Sequence, residues 1–259
     1  MSTNLSDTRK TALVIYAHPD VKSFNGSLLD VTRKTLKSKG YDVVISDLYS
    51  EYVEPSLARS CRIADPLKVD YSKCMQGDKK ISFDIKSEID KVNKADLLVF
   101  HFHMKHNTVP GILRDWLDHL LFSGKMFCFS TSVCGEGLMK GKRALLSVTM
   151  DEQAAAKENI NIILWGIQNS VLRMCGFDML QPQCSNSTNN RDDNEERKLL
   201  NDWENRLSNI ETEEVNTCLF IPDFKQIMGL IKKDKARETK RQEFIERSMS
   251  QYMPKVLSH

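Results

Sequence analysis

Five short apolar runs, each separated from the next by a stretch of helical character, constrain this 259-residue chain more than any other feature. Residues 11–16, TALVIY, are rich in β-branched side chains and free of charge, as in a strand buried on both faces. Residues 42–47 (DVVISD), 95–102 (ADLLVFHF), 142–149 (KRALLSVT) and 177–183 read as further strands. Between the first two, residues 25–40 place Leu28, Val31 and Leu36 on one helical face, with Gly40 as the C-terminal stop. That unit takes roughly 35 residues, the size of a strand-helix-strand crossover, so the strands pair in parallel. Further helices are expected over residues 84–94, 111–121, 160–175 and 192–209. In the third of these, Ile160, Ile163, Leu164, Ile167, Val171 and Met174 share a face while Ile162 and Trp165 make another apolar, which asks for cover from the sheet and from a second subunit. Residues 48–82 carry few periodic signals and read as an excursion with short helices at most.

The alternation defines an α/β fold with a doubly wound, five-stranded parallel sheet and helices on both faces, spanning residues 8–215. In such sheets ligands bind beyond the carboxyl ends of the strands. The site is therefore expected among the loops at residues 17–25, 103–110 and 150–159.

Composition narrows the function classes. An apolar fraction of 41% supports a true core, and 37 bases against 35 acids give a net charge of +2, too balanced for a dedicated nucleic-acid binder. The balance conceals a bias: from Asp223 onward bases outnumber acids by four, which sets residues 216–259 apart as a basic C-terminal appendage. Acids interrupt those bases, the pattern of a solvated helix. No apolar run approaches a bilayer span, and the opening MSTNLSDTRK lacks an apolar signal region, so no membrane partner and a cytoplasmic location are expected. The seven cysteines, at positions 61, 74, 128, 134, 175, 184 and 218, include no CxxC pair and suit reduced thiols.

The chain contains no GxGxxG, P-loop, HExxH or GxSxG motif, so glycine is not its phosphate device. Ser23, Phe24 and Asn25 stand where the first strand's loop enters the first helix, a place where main-chain N–H groups and a hydroxyl or amide hold an anion. The plainer alternative is that Ser23 or Asn25 simply caps the helix. His101 and His103 alternate along one side of a strand, and His106 folding back would complete a three-imidazole set. Clusters without a supporting carboxylate more often pack or face solvent, and no metal ligand is assigned. Cys128 and Cys134 would join only if their loop folds inward. Trp116, Trp165 and Trp203 fall in helical patterns as core or interface residues, Asp115 and Asp118 are solvated or paired with Arg114, and Cys175 is a buried thiol.

Six segments, ALVIYAHPDVKSFNGSL, GYDVVISDLY, ADLLVFHF, VPGILRDWLDHLLF, KRALLSVT and ILWGIQNSVLRMCGFDMLQPQ, occur in the order found in the NAD(P)H:quinone oxidoreductases of the DT-diaphorase type. The chain resembles that family over about residues 11–209. The resemblance implies a flavodoxin-like fold, a homodimer, FAD as cofactor (with FMN open), and two-electron hydride transfer from NAD(P)H through flavin N5 to a quinone. It places His18, Ser23, Phe24, Asn25 and Ser27 on the pyrophosphate and ribityl side, and Met104, Lys105, His106, Asn107, Thr149, Met150, Asp151 and Glu152 around the ring. It also makes Trp116 and the Trp165 helix packing or dimer elements.

The ring region departs from the family pattern. Lys105, His106, Asn107 and Thr108 replace Gln-Trp-Phe-Gly, and Thr149, Met150, Asp151 and Glu152 replace Thr-Thr-Gly-Gly. The next segment along the chain is shorter by about six residues and lacks the family's Tyr and His. Two carboxylates beside a ring that becomes anionic on reduction would oppose hydride gain. Lys105 and His106 are the candidates to offset that charge. The alternative reading is a non-catalytic paralogue acting as a flavin-binding or protein-interaction module.

Overall fold

A computed structural model describes residues 9–51, 83–122, 138–150, 160–186 and 192–216. Strand β1 (Thr11–Ala17) leads into α1 (Phe24–Ser38), β2 (Asp42–Asp47) and the single turn α2 (Leu48–Glu51). After residues outside the description come α3 (Phe83–Lys94), β3 (Leu97–Met104), α4 (Gly111–Phe122) and β4 (Arg143–Met150). The short α5 (Ile160–Ile163) is succeeded by a π-helical segment (Gly166–Arg173), β5 (Asp178–Met179), β6 (Gln183–Asn186) and α6 (Asp193–Ser208).

The strands lie in the order β2-β1-β3-β4-β5, with β6 also on β4, and every pairing is parallel. This is the flavodoxin-like order, in which the chain reverses the direction in which it adds strands between β1 and β3. The fifth position is shared by two pieces rather than one strand. β5 pairs at the start of β4 (Arg143, Ala144) and β6 at its end (Ser147 to Met150). Leu180 still donates its N–H to the Ala144 carbonyl at 2.9 Å, and the ladder breaks at Gln181-Pro182, where Pro182 has no N–H to give it.

Side-chain alternation divides the core in two. Leu13, Ile15, Leu98, Phe100, Phe102, Leu146 and Val148 pack on one face against Val92 of α3, Trp116 and Leu120 of α4, and Leu164, Ile167 and Leu172 of the helical stretch before β5. On the other face Val14, Val99 and Leu145 meet Leu28 and Leu36 of α1 and Trp203 and Leu207 of α6. Trp116 and Trp203 are fully buried, in keeping with their helical patterns, and Trp165 is half-buried. Burial drives the thiol of Cys175 up to about 12. Asp118 pairs with Arg114 at 3.5 Å, whereas Asp115 turns to His119.

Two local details decide the ends of elements. α1 stops at Gly40 (φ +90), where the Gly40 N–H donates to Lys37 and the Tyr41 N–H to Leu36, the two bonds of a Schellman close. The stretch expected as a regular helix over 160–175 widens after Gly166, so burial moves from the expected positions Val171 and Met174 onto Gln168, Leu172 and Arg173. Arg143 donates to the carbonyls of Ile210 and Glu213, and Arg173 to that of Asn216, fastening the last described residues to the sheet. These residues belong to the compact unit Met1–Asn216; of the appendage expected at 216–259, all but Asn216 lies outside the described residues.

Candidate functional site

The switch between β1 and β3 opens a crevice at their carboxyl ends, and both strands grow polar there on the α1 side. Tyr16, His101 and His103 come after Val14 and Val99 on that face, and Ser147 and Thr149 after Leu145 on β4. The loop after β1 is built on itself. The Tyr16 hydroxyl donates to the Asp20 carbonyl at 2.9 Å, and the Ser23 hydroxyl to the same oxygen at 2.5 Å. His18 Nδ1 lies 3.2 Å from the Asp20 N–H, 3.0 Å from the Asp20 carbonyl oxygen and 3.0 Å from the Ser23 hydroxyl, which fixes the ring in the loop. Burial raises the Tyr16 hydroxyl above its ordinary range and keeps it a donor.

Ser23 stands at the N-cap of α1 but does not cap it: its hydroxyl turns back into the loop, and the first turn carries no acid. The dipole end of a 15-residue helix is thus left uncompensated by its own side chains, which suits an anion. Asn25, buried in that first turn, reaches across the sheet and donates from Nδ2 to Thr149 Oγ1 at 2.7 Å. Its Oδ1 is buried with no hydrogen-bond partner, an arrangement that costs about 1–3 kcal/mol until something meets it. A Cβ on Gly26 would lie 1.9 Å from the Val21 carbonyl oxygen, so the loop and helix touch at a point only glycine allows. Ser27 commits its amide to Ser23 in the first helical bond, and Phe24 packs into the α1 and α6 core.

The ring side is arranged differently. Met104 and Met150 are buried on the opposite face of the sheet, which leaves their main chain rather than their side chains toward the crevice. Lys105, His106, Asn107 and Thr108 form an exposed tight turn, closed by Thr108 N–H to the Lys105 carbonyl at 3.0 Å. Both central residues are left-handed, His106 at φ +50 and Asn107 at φ +56, the signature of a type I′ turn. Asp151 and Glu152 lie outside the described residues, as do Cys128 and Cys134.

The three imidazoles do not converge. His101 is sealed between Thr32 Oγ1 (2.9 Å from its Nε2) and the edge of Trp203, and burial holds its pKa at about 3. His106 sits in the exposed turn, and among the described residues no group of three metal-ligating side chains forms. His103 instead belongs to the crevice, a role the sequence pattern alone does not give it. Its Nδ1 lies 3.1 Å from Thr149 Oγ1, and its ring stands edge-on to His18 at 6.3 Å. The signal available in the sequence is its place two residues beyond His101, on the side of the strand that faces α1.

Fold and crevice together define a flavodoxin-like protein with an anion-ready helix at its switch point. Residues 10–207 match the family described as a flavodoxin-like fold, and the chain belongs to that family. Within it, the chain is 34% identical over 229 residues to ribosyldihydronicotinamide dehydrogenase (quinone) of Mus musculus, covering 81% of this chain and 95% of that one. It is 30% identical over 251 residues to NAD(P)H dehydrogenase (quinone) 1 of Rattus norvegicus, covering 91% of each. A solved structure of a quinone reductase-like protein from Klebsiella pneumoniae has a TM-score of 0.68 at 26% identity, covering 80% of this chain and 86% of that one. The chain is thus a member of the NAD(P)H dehydrogenase (quinone) family.

Proposed function

We propose that this chain is a FAD-dependent NAD(P)H:quinone oxidoreductase, working as a cytoplasmic homodimer. The observation that carries the reading is the uncapped first turn of α1, with the orphaned Oδ1 of Asn25 beside it. The first-turn amides fit the phosphate groups of a flavin nucleotide, and the Asn25 Oδ1, an acceptor two residues from Ser23, fits a hydroxyl of its ribityl chain. His18, Phe24 and Ser27 stand nearby on the same loop and turn. Thr149 and the main chain at Met104 and Met150 border the ring position. When bound, the flavin supplies a two-electron carrier that takes hydride from NAD(P)H at N5 and returns it to a quinone.

Lys105 brings positive charge, and His106 a titratable donor, to the side where negative charge develops; Asn107 adds an amide. Asp151 and Glu152, outside the described residues, are assigned to the ring contacts by the family resemblance alone. Half-buried Ile160, Ile163, Trp165 and Val171 give the stretch before β5 the apolar surface for a second subunit. Residues 216–259 form a separate basic appendage after the flavodoxin-like domain of residues 8–215.

A second reading, a flavin-binding module without turnover, draws support from the 105–108 turn, which has neither a tryptophan nor a phenylalanine to stack on a flavin or a nicotinamide. The absorbance spectrum of gently purified protein, before and after anaerobic NADH or NADPH, separates the two. Bound yellow flavin bleached by either nucleotide is the expected result; flavin that stays oxidised would support the module, and colourless protein that takes up no flavin would overturn both. Acid release and mass measurement of the flavin decide FAD against FMN.

A further inference from the structure

The crevice holds a line of three side chains from three separate elements. Asn25 of α1, Thr149 of β4 and His103 of β3 are joined at 2.7 and 3.1 Å, with the Thr149 hydroxyl in the middle. With the single Thr149 proton donated within the line, two directions are self-consistent. In one, Asn25 Nδ2 donates to Thr149 and Thr149 donates to His103 Nδ1, which leaves the imidazole proton on Nε2. In the other, the Asn25 amide is turned over, Thr149 donates to Oδ1, and His103 Nδ1 carries the proton and donates to Thr149.

The direction is tied to whatever Asn25 meets at its outer end, because that atom is buried and has no hydrogen-bond partner. In the structure it is Oδ1, an acceptor, which asks for a donor such as a hydroxyl. A phosphate oxygen has no proton to give and asks for Nδ2 instead, which turns the amide and reverses the line. We propose that Thr149 and His103 are positioning residues of this site, and that the tautomer of His103 reports whether Asn25 faces a hydroxyl or a phosphate oxygen. The proposal rests on the flavin reading above for its natural ligand, but not for its geometry. Reversal conserves charge: the imidazole gives its Nε2 proton to solvent and takes one at Nδ1. The Nε2 edge thereby changes from donor to acceptor, at the carboxyl end of β3 beside His18.

The test reads imidazole 15N resonances in the full-length protein at pH 8, where an ordinary histidine is neutral. The His103 signals are identified by their loss in His103→Gln. Without ligand, the proton is expected on Nε2. Inorganic phosphate is expected to move it to Nδ1, whereas riboflavin, which has hydroxyls but no phosphate, leaves it on Nε2. Thr149→Val, close in shape, abolishes the response, and Thr149→Ser restores it, which a merely structural threonine would not do. Flavin binding is measured separately by fluorescence quenching. A tautomer that stays on Nε2 under inorganic phosphate, in protein that binds FMN, overturns the relay and spares the cofactor reading. A tautomer that responds to inorganic phosphate in protein that binds no flavin supports the relay and overturns the cofactor reading. No response to phosphate and no flavin binding overturns both.

Discussion

The loop after β1 and the turn after β3 leave neighbouring strands at the same edge of the crevice, and they are built on opposite plans. Residues 18–23 bond almost entirely to one another, around the Asp20 carbonyl and His18 Nδ1, and are pressed against α1 at Gly26. Residues 105–108 are exposed and held by one short turn with two left-handed residues. The first region shares its wording with the quinone oxidoreductases and is over-determined by contacts. The second departs from them and is closed by a local turn in which the Thr108 N–H and hydroxyl both donate to the Lys105 carbonyl. The comparison teaches that the loop before α1 tolerates little change, while the turn after β3 can be rewritten without disturbing the sheet.

The sharpest way to break that contrast is Gly26→Ala. The added methyl would meet main-chain atoms of Val21, which cannot rotate away as a side chain would. The loop must shift, and the expected result is about 3 kcal/mol lost in urea unfolding, the upper end of overpacking costs, together with loss of flavin retention. A variant that unfolds within about 0.5 kcal/mol of the parent would show that the loop is less constrained than its contacts imply.

A second measurement separates these loops from the strand beneath them. His101 has a pKa of about 3 because it is buried, against an ordinary value of 6.5. Between those values the unfolded chain binds a proton that the native protein does not, so stability falls as pH falls. The contribution is fully present above pH 6.5, declines by about 1.4 kcal/mol per unit below it, and levels off near pH 3. At pH 5 the loss is about 2 kcal/mol. His101→Gln retains a hydrogen-bonding group toward Thr32 and should flatten this part of the acid limb. An unchanged slope would mean that other groups carry it.

How much of the molecule was legible in the sequence obeys the same division. β2 falls where the apolar run places it, and β1 and β4 differ by a residue or so at their ends, because uninterrupted apolar side chains admit few alternatives in a covered sheet. For β3 the apolar run starts two residues too early. Ala95 and Asp96 close the turn out of α3, with Asp96 Oδ2 accepting the Thr11 N–H, and the strand continues through polar His103 because that residue pairs with Thr149. A polar residue at a strand end looks like loop until its neighbour is known. The same holds for the site. Ser23 and Asn25 are visible as helix-start residues, but that Ser23 declines to cap and Asn25 reaches Thr149, 124 residues away, depends on the tertiary fold. The widened turn after Gly166 leaves no periodic trace at all.

The smallest expected effect lies in the β3 turn. A type I′ turn favours Asn then Gly, and this chain has His106 then Asn107. Replacing the pair, His106→Asn with Asn107→Gly, relieves left-handed strain, partly offset by the greater freedom glycine has in the unfolded chain, for a net gain of about 0.5–1 kcal/mol in urea unfolding. The gain identifies the turn as a local element whose geometry is independent of the crevice. His106→Trp then asks the opposite question, because it adds the missing aromatic surface at a left-handed position that a bulky residue adopts poorly. If stacking dominates, flavin retention rises by about three- to tenfold, the range of a single aromatic contact. If retention falls while the fold stays intact, the tight turn cannot present a ring to the crevice, and the two regions differ in reach as well as in construction.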